Sequence, residues 1–453
     1  MSRIKLGYLA LVKPSWRTSK TDAVADATFQ ALQSLDADIL YEGIAATEAE
    51  ARERARNFAR AGVDGAVMHF VTFPVGAAIP AAAMEVDVPI VLLANPEEAG
   101  PGGMWERNSF CGANMASHGL RRLGKPYSFV FARPADLPRE IAASMAALRA
   151  VKALRELRIG LVGGRVPGFY TSNADELQLR RDLGVTVEVL DLLEVVKTAS
   201  ALTAAELAAA REALGKAACR VNRIDEHELA LAAGLYAAFR KTAEKYALNA
   251  LAVRCWPECG DLFGVAPCAV LGMLNDHALP TSCEGDVAGA VTMEMLRAAA
   301  AGTNPPFFMD LIAFDPGDDT GVAWHCGAAP SSLCRSFGET ELRRHMRVDG
   351  GEKKGVVNEF PLKAGRVTLA RYDTDRDGRQ RLLIAGGEAL DTEAFLRGNP
   401  LRIRFDCSVK DLVDTVIDQG FEHHYALIHA DVVEPLRQIA RWKGISPVEP
   451  RRR

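Results

Sequence analysis

The run Ile159-Gly160-Leu161-Val162-Gly163-Gly164-Arg165-Val166-Pro167-Gly168 decides the architecture. Its apolar part is short and ends in glycines, so it reads as a buried strand running straight into a tight turn. Helical spacing follows over residues 176–182, and a second apolar strand over 186–190. Strand, helix and strand at this spacing make a right-handed βαβ unit and hence a parallel sheet. The same alternation runs upstream. Strand-like segments at 4–12, 39–41, 63–70, 89–93 and 128–131 enclose helix-like ones at 23–32 and 48–61. Downstream, the Ala/Leu/Glu/Lys-rich stretch 204–246 is helical by propensity, and 250–254 reads as another buried strand. From about residue 355 the spacing becomes that of short strands, at 356–360, 365–372, 381–384 and 401–405, with Gly and Asp between them. That pattern predicts an antiparallel sheet or small barrel. An amphipathic helix spans 431–443.

The expected fold class is therefore α/β. Two parallel-sheet α/β domains, residues 1–155 and 156–300, precede a strand-rich C-terminal domain, 301–453. A chain of 453 residues is too long for one ordinary core. With 54 Lys and Arg against 58 Asp and Glu, the formal net charge is -4. This excludes the basic footprint of a nucleic-acid binder and gives no field for a membrane surface. No cleavable signal and no run of about 18 apolar residues stands out. The nine cysteines are scattered and read as reduced thiols, so a cytoplasmic protein is expected.

Several motifs invite chemistry. Gly163-Gly164 with Gly168 follows a strand, but it is neither G-x-G-x-x-G nor a P-loop, so a tight turn accounts for it better than a phosphate site. Cys255 and Cys259 lack a second pair with zinc-site spacing. Ser282-Cys283-Glu284 lacks the glycines of a nucleophile elbow. The acidic and histidine positions are more informative. Pro280-Thr281-Ser282-Cys283-Glu284-Gly285-Asp286 puts a carboxylate at a strand end, the edge where α/β sheets bind ligands. Pro305-Pro306-Phe307-Phe308-Met309-Asp310 puts another directly after an apolar run. Trp324-His325-Cys326-Gly327 offers an imidazole in a loop, and Gly420-Phe421-Glu422-His423-His424-Tyr425 offers two. Taken singly, each fits a structural role: Asp310 a turn or cap, His325 a satisfied loop residue, His423 and His424 the edge of a core. Arg254, Trp256 and Glu258 follow a strand just upstream. The first two suit a polyol pocket, Trp256 equally a packing role, and Glu258 is the alternative carboxylate.

Cys283-Glu284-Gly285-Asp286-Val287, an Ala-rich helical stretch and Phe308-Met309-Asp310, with His423-His424-Tyr425-Ala426-Leu427-Ile428-His429-Ala430-Asp431 later, together resemble the L-fucose isomerase and L-arabinose isomerase family. Gly365-Arg366-Val367-Thr368-Leu369 is similar to a strand of that family's C-terminal domain. The resemblance implies a metal-dependent aldose–ketose isomerase acting on a pentose, 6-deoxyhexose or modified sugar through an enediolate. It implies metal ligands at Glu284, Asp310 and His424, with Glu284 and Asp310 also as the acid and base. Mn²⁺ is the expected ion, with Mg²⁺ or Co²⁺ as substitutes. His325 stands about where arabinose isomerases supply a fourth ligand, or it contacts a sugar oxygen. Arg254, Trp256, His118 and His423 are the expected substrate contacts. Asn114-Met115-Ala116-Ser117-His118-Gly119 resembles a segment reaching a neighbouring subunit's site, so a trimer or hexamer with inter-subunit sites is expected. The competing class is a non-catalytic sugar-binding or sensor protein.

Overall fold

The computed structural model describes residues 3–74, 76–346 and 352–451. The chain forms two compact units. The first is Met1–Lys152 with Arg437–Gly444, and the second is Ala153–Leu436 with Ile445–Arg453.

In the first unit, β1 (Ile4–Leu11), β2 (Ala37–Leu40), β3 (Gly65–Phe70), β4 (Ile90–Ala94) and β5 (Tyr127–Phe131) form a parallel sheet in the order β2-β1-β3-β4-β5. Every residue of β3 and β4 is buried. Burial on both faces explains why these strands are continuous apolar runs rather than alternating ones. The helix Glu48–Ala61 starts with a capping box between Thr47 and Glu50 and stops at Gly62, whose φ of 63° ends the helical path.

The second unit has two layers of sheet. Its strands begin with β6 (Arg158–Val162), β7 (Thr186–Leu190), β8 (Arg220–Asn222), β9 (Ala250–Val253) and β10 (Thr281–Cys283). Four of them make a parallel sheet in the order β10-β9-β6-β7. The stretch expected to be one long helix over 204–246 is broken. Ala204–Lys216 ends, β8 intervenes, and Asp225 caps a new helix, Glu226–Lys245. Propensity marks the whole stretch as helical, but the Asp225 cap starts a second helix afresh.

The strand-rich part begins earlier than residue 355, with β11 (Phe307–Asp315) and β12 (Thr320–Trp324). After β13 (Glu341–Met346) and β14 (Glu352–Glu359) come β15 (Gly365–Thr374), β16 (Gln380–Ala389), β17 (Leu401–Phe405), β18 (His424–Ile428) and β19 (Ser446–Val448). Antiparallel pairing runs β11-β12-β17-β16-β15-β18 and returns to β11, closing a six-stranded barrel. β19 adds to β16 in parallel. β13 and β14 lie outside this ring and pair with β8. Closure removes the exposed edges that an open antiparallel sheet would leave. The interior is apolar, with Phe307, Met309, Leu369, Leu383, Leu401, Ile403 and Leu427 all fully or almost fully buried.

The helix Val287–Ala299 joins the layers. It packs on β9 and β10 on one side and on β15 and β18 on the other. All but one of its residues are buried, which is why it is apolar apart from Thr292 and the Glu294–Arg297 pair.

Candidate active site

Parallel strands end together, and in the second unit those ends carry polar groups. Gly163 follows β6, Arg254 follows β9 and Glu284 follows β10, all at the C-terminal edge of one sheet. Glu284 has φ 60° and Gly285 φ 69°. A left-handed glutamate is costly and persists only where its surroundings force it. The next residue has to be glycine: a Cβ on Gly285 would lie 2.4 Å from the Gly164 carbonyl oxygen. Gly163, Gly164 and Gly168 also have positive φ. The glycine motif therefore serves backbone conformation, and its loop backs the Glu284 turn.

The barrel supplies the opposite wall. Asp310 is not a turn or cap residue. It lies inside β11, directly across from His424 of β18 and from Trp324 of β12. His325 follows at the end of β12. Cross-strand neighbours of this kind have their Cβ atoms about 5 Å apart, so the ladder alone sets Asp310 beside His424. Glu284, Asp310, His325, Trp256, Cys255 and Cys283 all line one cavity of about 960 Å³.

Trp256 donates from Nε1 to Glu284 Oε1 at 2.8 Å. The other oxygen, Oε2, stands 3.0 Å from His424 Nε2 without an aligned hydrogen bond. Asp310 Oδ1 is buried with no hydrogen-bond partner. His424 is 2% exposed, and its Nδ1 lies 3.1 Å from Asp286 Oδ2. Asp286 thus orients the ring and leaves Nε2 pointing at the carboxylate. Asp286 itself accepts from Gly289 N at 2.8 Å, capping the joining helix. It also pairs with Arg371 of β15 at 2.6 Å. Arg371 is wholly buried between Asp286 and Glu422.

These surroundings push the two carboxyls apart. Burial raises the Glu284 carboxyl, but the nearby His424 imidazole and the Trp256 hydrogen bond outweigh that and hold it below its usual value. Burial raises the Asp310 carboxyl, and there the rise survives the nearby histidines. Burial works against a charged His424, yet Asp286 and Glu284 lift it to about 10. Burial likewise opposes charge on His325, and Cys326 and then Asp310 lift it to about 9. Divergent carboxyl environments are what a paired acid and base require.

The structure brings together most of the expected site residues. His423 is half-exposed beside Phe169, which also packs edge-on against Trp256. Among the described residues, donor atoms of Glu284, His423 and His424 come within 4.8 Å of one another, and Asp310 is outside that tight group. Arg254 lies beside the site but pairs with Glu258, so the alternative carboxylate is engaged. His118 is exposed on the helix Ser109–Arg122 of the first unit and does not line this cavity. No group of donors among the described residues joins Cys255 to Cys259. The hydrogen bond to Cys255 and then burial raise the Cys283 thiol well above its usual value, which disfavours a thiolate nucleophile. Sequence reading missed Asp286 and Arg371. Asp286 belongs to the Glu284 motif, and its signal is a cap position ahead of an apolar helix. Arg371 carries no signal beyond an arginine inside a strand.

A donor set of two buried carboxylates and an oriented imidazole fits a hard or borderline divalent cation. The oxygens lacking donors are the atoms a cation would satisfy.

Known proteins resemble this chain in sequence. A model of the N-terminal domain of fucose/sulfoquinovose isomerases matches residues 15–158. A sulfoquinovose isomerase of Priestia aryabhattai is 35% identical, covering 78% of this chain and 78% of the relative. One from Alkalicoccus urumqiensis is 33% identical over 85% of this chain and 86% of its own length. One from a Clostridium species is 30% identical over 75% of each. Among solved structures, a periplasmic solute-binding protein from Actinobacillus succinogenes with bound D-allose is 12% identical, over 67% of this chain and 94% of its own. Its TM-score of 0.19 is too low to bear on fold or activity. On the identity and coverage of the isomerases, the chain belongs to the fucose/sulfoquinovose isomerase family and is a sugar aldose–ketose isomerase, an intramolecular oxidoreductase acting on a small sugar.

Proposed function

We propose that the chain isomerises sulfoquinovose, a glucose carrying a sulfonate on C6, to the corresponding 2-ketose through an enediolate, with Glu284, Asp310 and His424 holding Mn²⁺. Mg²⁺ and Co²⁺ are the substitutes. The observation that carries the reading is the pair of buried carboxylate oxygens without donors beside an imidazole oriented by Asp286. The relatives named above supply the substrate.

The bound cation would polarise the sugar carbonyl and stabilise negative charge on the neighbouring oxygens. The protein's own groups divide the proton work. Glu284 is held ionised by Trp256 and His424 and so takes the proton beside the carbonyl. Asp310, raised by burial, returns a proton at the adjacent carbon. Phe169, Trp256 and His423 surround the reacting end with aromatic faces and reduce its access to water. His325 is the fourth ligand or a contact to a sugar oxygen. The cavity also exposes His227 and Lys354. Neither forms an ion pair among the described residues, and both suit a sulfonate. A trimer or hexamer, in which His118 reaches a neighbouring copy's site, extends the same reading. The nine cysteines are free, in keeping with a cytoplasmic setting. No helix among the described residues is long and apolar enough to cross a membrane.

The test is to treat the protein with a chelator, assay ketose formation from sulfoquinovose by NMR, and restore Mn²⁺. Activity should vanish and return, and Glu284→Gln should stay inactive while remaining folded. Full turnover after metal removal, or an active Gln variant, would refute the mechanism.

A further inference from the structure

The same cavity holds a second set of donors that the isomerase reading does not use. Cys268 opens the helix Cys268–Asp276, Cys326 follows His325, and His345 lies in β13. One donor atom from each falls within 4.8 Å of the other two. The sulfurs of Cys268 and Cys326 are 3.5 Å apart. Two thiolates bound at about 2.3 Å to one tetrahedral ion stand ~3.8 Å apart, and a thiolate and an imidazole nitrogen ~3.6 Å. The cysteine pair is already at ligand spacing, and His345 needs to approach by about 1 Å at most. By contrast Cys255 and Cys283 stand at 2.6 Å, too close for two ligands of one ion.

The donors are held from three directions. Cys268 is 3% exposed and sits at the first position of its helix; the contact with Cys326 and then burial keep it a thiol until an ion displaces the proton. Gly327 has φ 106°, and a Cβ there would meet Val357 at 2.5 Å, so the backbone after Cys326 is pressed onto β14. His345 comes from a strand in register with β14. All three residues line the cavity, so an ion can enter.

We propose that Cys268, Cys326 and His345 form a second metal site that takes a thiophilic divalent ion such as Zn²⁺ or Cd²⁺, with its fourth position open to the cavity. Two thiolates and an imidazole select soft ions, whereas Glu284, Asp310 and His424 suit harder ones. The two sites meet at His325, whose Nδ1 is 3.5 Å from the Cys326 sulfur. Binding there draws that sulfur into coordination beside His325.

The probe is Cd²⁺ titrated into full-length protein already saturated with Mn²⁺. One equivalent should bind and develop the ultraviolet thiolate-to-cadmium charge-transfer band, with bound Mn²⁺ retained by elemental analysis. Cys268→Ser/Cys326→Ser should lose both the band and the equivalent, and His345→Ala should weaken binding tenfold or more, as expected for one lost ligand. Thermal melts of the variants check that they are folded. Absence of the band in the wild type, its persistence in the folded double variant, or displacement of Mn²⁺ by the first equivalent would overturn the proposal.

Discussion

Asp286→Asn tests the site where fold and chemistry share one residue. The side chain has three duties: it caps the helix Val287–Ala299, neutralises buried Arg371 and orients His424. Asparagine caps as well as aspartate, so the first is kept. The second is halved, because Arg371 retains Glu422. Breaking a buried pair outright costs about 3–5 kcal/mol, so the lower end, about 3 kcal/mol, is expected. The third is lost in charge though not in shape. Removing such an outer carboxylate typically lowers metal affinity by about 10- to 100-fold, or roughly 1.4–2.8 kcal/mol. The assay has two arms: Mn²⁺ titration followed by EPR, and thermal melts with and without Mn²⁺. Both stability and affinity should fall, and the Mn²⁺-dependent gain in melting temperature should shrink. A variant that is destabilised but binds Mn²⁺ as the wild type does would show that Asp286 only supports the fold, and the metal reading of His424 would fail.

Further outcomes follow from other groups. Gly285→Ala places a methyl 2.4 Å from the Gly164 carbonyl at φ 69°. It should destabilise the protein by about 2–4 kcal/mol and lower kcat through the displaced Glu284; an unchanged melt and rate would rule out the close approach. Lys354→Met should cut the preference for sulfoquinovose over its neutral 6-deoxy analogue about tenfold, in line with one charge-assisted hydrogen bond; an unchanged ratio of kcat/KM values would remove Lys354 from sulfonate recognition. His69, in the first unit, is buried between Tyr8 at 2.7 Å and Asn95 at 2.5 Å, and burial lowers it to about 4. A folded pKa below the unfolded one gives stability that is full above pH about 6.5 and lost as pH falls towards 4, here about 3 kcal/mol. Thermal melts across that window should fall more steeply for the wild type than for His69→Gln, and parallel profiles would contradict it.

Much of this organisation is local and therefore legible along the chain. Apolar runs at 159–162 and 250–253 announce buried strands because a strand covered on both faces has no polar position to display. Glu284 sits at a strand end, and that edge is a ligand edge in any open parallel sheet. Asp310 was harder. Its apolar run could end in a turn, and only pairing with β18 and β12 shows it inside a strand. The break in the 204–246 stretch was missed because propensity does not register a cap restarting the helix at Asp225.

The sequence by itself determined the α/β class, the strand-rich end, and a short list of carboxylates and histidines, since periodicity and turn chemistry act over a few neighbouring residues. Tertiary structure alone decided which of them meet. Closure of the barrel through β15 and β18 brings Arg371 to Asp286, 85 residues away, and Asp286 to His424, 138 away. No local spacing encodes those contacts. They exist because a largely apolar helix must bury nearly all its faces, and doing so between sheet and barrel carries the Asp286 cap to His424, beside Glu284.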